Sequence, residues 1–147
     1  MSNGIDQTKA LYIYTDGGSR GNPGEAALGV YILDSQEQAV SKIGKRLGVA
    51  TNNVAEYSAI VEGLSWVLQN KKRMPVLSKI NLFMDSQLAV SQINGLYKIK
   101  NARLRDFIFE IKSKEKEIGL PISYSYIPRE KNKNADMLVN LALDNKI

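Results

Sequence analysis

Apolar and polar positions divide the chain into two kinds of segment. Leu11 to Thr15 alternates β-prone residues and predicts a strand. Ala27 to Leu33 predicts a second, and Gln38 to Leu47 a weaker third. Short turns between them favour an antiparallel meander. At "TNNVAEYSAIVEGLSWVLQN" the period changes. Val54, Tyr57, Ile60, Val61, Leu64 and Leu68 follow helical spacing, with Asn52 or Asn53 as the expected cap. "SKINLFMD" reads as a strand buried on both faces, and "SQLAVSQI" as a short helix closed by Asn94-Gly95. Leu104, Phe107, Ile108, Ile111 and Ile118 mark a longer helix. "PISYSYIP" is the last strand, and Asn134 to Leu143 the closing helix.

Three strands, helix, strand, helices, strand, helix is an α/β order. It predicts a five-stranded mixed sheet, three strands antiparallel and then two parallel, flanked by helices. Residues 1–9 are expected to be a flexible leader, and residues 10–147 a single domain. The length of 147 residues suits one core, with 44% apolar and 24% charged residues. No repeat, low-complexity stretch or linker interrupts it.

Composition narrows the chemistry. No apolar run reaches the roughly 18 residues of a membrane span, and "MSNGIDQTKA" has no signal-peptide core, so a cytoplasmic location is expected. Cysteine and histidine are both absent. That removes thiolate and imidazole ligands and the commonest general base. A metal here would be held by oxygen, which favours magnesium or manganese. The net charge of +5 points to an anionic partner.

Four acids fall at matching places. Asp16 is read at the end of the first strand, Glu56 in the first turns of the long helix. Asp85 follows "INLFM", and Asp136 lies near the start of the last helix. Strand ends and helix starts converge at one sheet edge, where ligand sites tend to lie. Taken singly, Asp16 suits an Asx-turn, Asp85 an N-cap, and the other two a helix first turn. Taken together, four carboxylates repel unless cations neutralise them. A pair of divalent ions about 3.5–4 Å apart does so and activates water against a phosphodiester.

"YTDGGSRGNPG", "TNNVAEYSAI", "DSQLAV" and "NKNAD" resemble, in order, the four signature blocks of ribonuclease HI. The resemblance covers about residues 10 to 144. It implies a ribonuclease H-like fold and an endonuclease that cuts the RNA strand of an RNA/DNA hybrid. It also implies two magnesium ions per site, with manganese as a substitute, and 5′-phosphate and 3′-hydroxyl products. The family's acidic tetrad carries over to Asp16, Glu56, Asp85 and Asp136. Its substrate-contacting positions carry over to Gly17, Gly18, Asn22, Thr51, Asn52, Asn53 and Gln87. The partner implied is the hybrid duplex, with neither membrane nor nucleotide cofactor, and the enzyme is expected to be a monomer.

Glycines allow close backbone approach to an RNA minor groove, whose 2′-hydroxyls distinguish it from DNA. Asn22, Thr51 and Asn52 are neutral donors suited to a DNA-strand phosphate. A tight turn is an equal reading for Gly24. The block lacks both G-x-G-x-x-G and Gly-Lys-Ser/Thr, so it is not a nucleotide loop.

Two features depart from many relatives. The loop "IPREKNKNAD" holds no histidine and resembles a histidine-lacking archaeal and bacterial branch. Arg129 is the candidate there, as a phosphate ligand and never a base. The basic protrusion is missing too. Lys98, Lys100, Arg103 and Arg105 are either phosphate contacts or a solvated helix face. Trp66 is read as core, and Tyr97 sits beside the basic stretch. Two other readings stay open: the same fold cutting double-stranded RNA, and a catalytically weak nucleic-acid-binding module.

Overall fold

The computed structural model of the protein describes residues 5–95 and 98–147. Five strands form one sheet: β1 (Ala10–Gly21), β2 (Gly24–Leu33), β3 (Ala39–Ala50), β4 (Lys79–Met84) and β5 (Ile122–Tyr126). Their order across the sheet is β3-β2-β1-β4-β5. β1–β2 and β2–β3 are antiparallel, whereas β1–β4 and β4–β5 are parallel. The helices are α1 (Asn52–Asn70), α2 (Gln87–Ile93), α3 (Ala102–Ile118) and α4 (Lys133–Leu143). The mixed sheet expected from the element order is thus the one observed.

Alternation along the central strands sorts residues to two faces. Leu11, Ile13, Val30, Ile32, Ile80 and Leu82 are fully enclosed and pack with Tyr57, Ile60 and Leu64 of α1. α3 joins this layer through Ile111 and Ile118, and Trp66 packs at its margin as core. The other face meets α4, whose Val139 and Ala142 pack on Ala27.

Several boundaries differ from the expected ones. Gly17 to Gly21 do not form a wide turn. They continue β1 and pair with Gly24 to Leu28, leaving Asn22-Pro23 as the hairpin tip. Asp16 therefore lies inside the strand, opposite Gly29. The physical reason is tertiary. Glycine is a weak strand former, but here it lets neighbouring backbone come close. A Cβ on Gly17 would stand 2.1 Å from the Ala55 carbonyl carbon, and one on Gly29 2.2 Å from the Ala135 oxygen. α1 is capped by Thr51, not Asn52 or Asn53: its Oγ1 accepts from Val54 N at 3.2 Å. Ser86, not Asp85, caps α2 by accepting from Ala89 N at 3.1 Å. Within the expected leader of residues 1–9, Ile5–Gln7 form a 3-10 turn, Ile5 and Thr8 are buried, and Thr8 Oγ1 donates to Ala10 O at 2.8 Å. Residues 1–4, and Tyr97 with Leu96, lie outside the described residues.

Gly29 offers a clean test of this packing. Gly29→Ala should push α4 away from β2 and lower unfolding free energy by about 1–3 kcal/mol in urea titration. Unchanged stability would mean that the helix does not rest on that glycine.

Candidate active site

Two backbone approaches set the site. At Gly17, β1 touches α1 where Glu56 begins its turn; at Gly29, β2 touches α4 at Ala135, the residue before Asp136. Asp16 sits between them on β1. β4 runs parallel to β1 and delivers Asp85 just past its end. Asp16, Glu56, Asp85 and Asp136 consequently line one cleft of about 280 Å³, together with Gly17, Gly18 and Arg129. Asp16, Glu56 and Asp85 are half-buried, whereas Asp136 is exposed at the rim.

Electrostatics in this cleft are unbalanced. Burial, then the charges of Asp85 and Asp136, push the Asp16 carboxyl up to about 8, although the Gly17 N–H donates to its Oδ1 at 3.0 Å. Burial raises Glu56 to about 7, against the opposing pull of a Ser86 hydrogen bond; Asp85 adds to the rise and Arg129 offsets it. Among the described residues, none of the four acids forms an ion pair within 4.0 Å. Buried like charges without a cation are costly, so the cleft is built to receive positive charge.

The donor set fits a hard divalent cation: carboxylate oxygens, no nitrogen or sulfur ligand, and charge awaiting neutralisation. No three of the described acids are drawn together tightly enough to cage an ion unaided. That suits magnesium, which keeps waters and shares its shell with substrate oxygens.

Asn132 was not singled out by sequence reasoning, though it opens the "NKNAD" block. It is buried, and its Nδ2 donates to Thr15 O at 2.9 Å and to Asp85 Oδ2 at 3.2 Å. It thereby ties the last loop to β1 and holds one oxygen of Asp85. Ser86 was missed likewise. A hydroxyl directly after an acid reads as a cap, and only the fold brings it to Glu56.

The expected substrate-contacting residues divide between two places. Gly17 and Gly18 line the acidic cleft. Asn22, Thr51, Asn52 and Asn53 line a second one of about 430 Å³ with Asn101 and Arg103. Asn52 touches both: its Oδ1 accepts from Ser19 N at 2.9 Å, and its N–H donates to Asn22 Oδ1 at 3.0 Å. Asn101 had one sequence signal, an asparagine just before a helix; its Oδ1 accepts from Arg103 N and Leu104 N. Gln87, exposed at the start of α2, lines neither cleft.

The raised carboxyls predict a stability profile for the metal-free protein. Asp16 and Glu56 keep protons in the folded state that the unfolded chain releases near 3.8 and 4.5. The folded state binds more protons between those values and about 8 and 7, so stability falls as pH rises. Their contribution is greatest below about pH 4 and lost above about pH 8. Without divalent ions, Asp16→Asn should therefore be more stable than wild type at pH 8.5 and lose that advantage at pH 4. Parallel thermal melts with pH-independent differences would refute the electrostatic reading.

A family model described as "Reverse transcriptase-like" matches residues 14–142. The chain is 35% identical over 135 residues to a bifunctional protein of Mycobacterium tuberculosis, covering 91% of this chain and 35% of that one. It thus spans about a third of the length of the first curated relatives it matches. It is 34% identical to the ribonuclease HI of Halobacterium salinarum, over 95% of this chain and 67% of that one. LC11-RNase H1, isolated from compost by a metagenomic approach, has been solved in complex with an RNA/DNA hybrid. Against that structure the TM-score is 0.86 at 38% identity, covering 92% of this chain and 98% of that one. No helix among the described residues is long and apolar enough to cross a membrane. Matching fold, length of match and identity together place this chain in the ribonuclease HI family.

Proposed function

We propose that this chain is an endonuclease that hydrolyses the RNA strand of RNA/DNA hybrids, leaving 5′-phosphate and 3′-hydroxyl ends. The observation that carries the reading is the convergence of four uncompensated acids beside a glycine strand. A relative solved with a hybrid supports the substrate class.

Asp16, Glu56, Asp85 and Asp136 would hold two magnesium ions, with manganese as a substitute. When bound, such ions lower the pKa of water and stabilise charge on the attacking and leaving oxygens. The chain's own residues supply position. Asn132 fixes Asp85, Ser86 and Arg129 act on Glu56, and the Gly17 N–H holds one oxygen of Asp16. In the net reaction a water oxygen bonds to phosphorus, the bond to the 3′-oxygen breaks, and that oxygen takes a proton. Gly17 and Gly18 lie where RNA 2′-hydroxyls would be read, and Asn22, Thr51, Asn52 and Asn53 where a DNA phosphate would rest. Gln87 is left as an outer contact of the duplex.

Arg129 fits the role of phosphate ligand. It lines the acidic cleft, yet among the described residues it makes no ion pair within 4.0 Å, with Glu130 or any other acid. Pro128, with φ −65°, restrains the backbone just ahead of it. Its planar fork matches two phosphate oxygens and stays charged at every working pH.

Three predictions test this function. Asp16→Asn, Glu56→Gln and Asp85→Asn should each abolish hybrid cleavage, and calorimetry should show magnesium binding lost with it. Asp136→Asn, at the rim, should retain more. The wild type should cut hybrid and spare double-stranded DNA; faster cutting of double-stranded RNA than of hybrid would transfer the activity to that substrate. Arg129→Ala should lower kcat about ten- to a thousandfold with little change in hybrid affinity, as for other transition-state donors. Arg129→Lys should restore only part, since a point charge lacks the fork. Unchanged turnover in Arg129→Ala would remove the residue from the chemistry.

A further inference from the structure

α4 covers only part of its sheet face. Beyond the helix, that face carries Tyr12 and Tyr14 of β1, Tyr31 and Leu33 of β2, and Phe83 of β4. Register aligns Tyr14 with Tyr31 on one side and with Phe83 on the other. Ring centroids are 6.5 Å apart for Tyr14–Tyr31 and 5.1 Å for the stacked Tyr14–Phe83 pair. Ile13, Val30, Ile32 and Leu82, on the opposite face of these same strands, are wholly enclosed, whereas the rings keep part of their surface in water. A cavity of about 140 Å³ opens among Tyr14, Tyr31, Leu33, Lys131 and Asn134.

Cations flank these rings. Lys42 is exposed, with its Nζ 6.0 Å from the centroid of the Tyr31 ring. Lys131 lines the cavity from the other side. Among the described residues neither lysine forms an ion pair within 4.0 Å. Burial, then Glu37 and Tyr12, raise the Tyr14 hydroxyl above its ordinary value. Lys131 also shares its 3-10 turn, Arg129–Lys131, with the arginine of the acidic cleft. One short turn therefore borders both features.

We propose that this sheet face is a stacking platform for single-stranded nucleic acid, with the rings receiving bases and Lys42 and Lys131 receiving phosphates. Planar π faces on adjacent strands, with free lysines beside them, suit unpaired bases on a polyanion. A duplex buries its base faces in its own stack, so the platform is distinct in substrate from the acidic cleft. The inference stands on the aromatic face alone and needs no hydrolytic activity.

Anisotropy titration of the full chain with a labelled deoxythymidine decamer in EDTA tests it, with excess blunt RNA/DNA hybrid as competitor. The decamer should bind and survive the competitor. Tyr31→Leu should weaken it about five- to a hundredfold, the effect of losing one stacking ring. Lys42→Gln should weaken it several-fold and reduce the salt slope by about 0.7. Both variants should cleave blunt hybrid in magnesium at the wild-type rate, which keeps this test separate from the proposed activity. Should Tyr31→Leu fail to fold, Lys42→Gln decides alone. Wild-type decamer affinity in the folded variants, or full displacement by hybrid, would overturn the proposal. So would sedimentation showing two copies joined through this face.

Discussion

Gly17 and Gly29 carry no side chain, and the arrangement of the acidic edge follows from that. Helices are normally held off a sheet by the side chains between the layers. Here α1 and α4 meet strand backbone directly, from opposite faces, at neighbouring points of β1 and β2. Glu56 and Asp136 are the acids next to those contacts. A methyl group at either glycine would overlap backbone that cannot swing aside. The position of the two helical acids relative to Asp16 is therefore a packing consequence as much as a chemical one.

Packing at that edge works against electrostatics. Acids drawn together in a half-buried cleft raise one another's proton affinity, and among the described residues no lysine or arginine forms an ion pair with them within 4.0 Å. Asn132 is the only described group donating a direct hydrogen bond to Asp85, and its own Oδ1 is buried without a partner. Residual tension of this kind concentrates where a ligand completes the structure. The rest of the domain supports it with a large, well-enclosed core between the sheet and α1.

The two sheet faces divide the work differently. The α1 face is closed by aliphatic packing and rigidly seats the strands that carry Asp16 and Asp85. The α4 face is only half closed, and small residues lie under the helix while large rings lie beyond it. A domain with one fully built core can leave part of its other face open without losing its fold.

Element type, element order and the four acids were legible in the sequence. Periodicity of 2 and 3.6 is a local property, and the signature blocks carry their acids within short, contiguous stretches. Mixed-sheet topology followed too, since a meander followed by crossovers has few other solutions. Local rules failed where a distant backbone decided the outcome. Glycines 17 and 18 read as turn because their propensity is weak, yet both continue β1, and at Gly17 the backbone of α1 leaves no room for a side chain. Thr51 and Ser86 displaced the expected caps by geometry too fine for spacing to resolve. Asn132 reaches Thr15 across 117 positions of chain and Asp85 across 47, separations at which no local pattern carries information. Tyr14, Tyr31 and Phe83 stand apart along the chain as ordinary strand aromatics. Only register across three strands, and a helix too short to cover them, make them one surface.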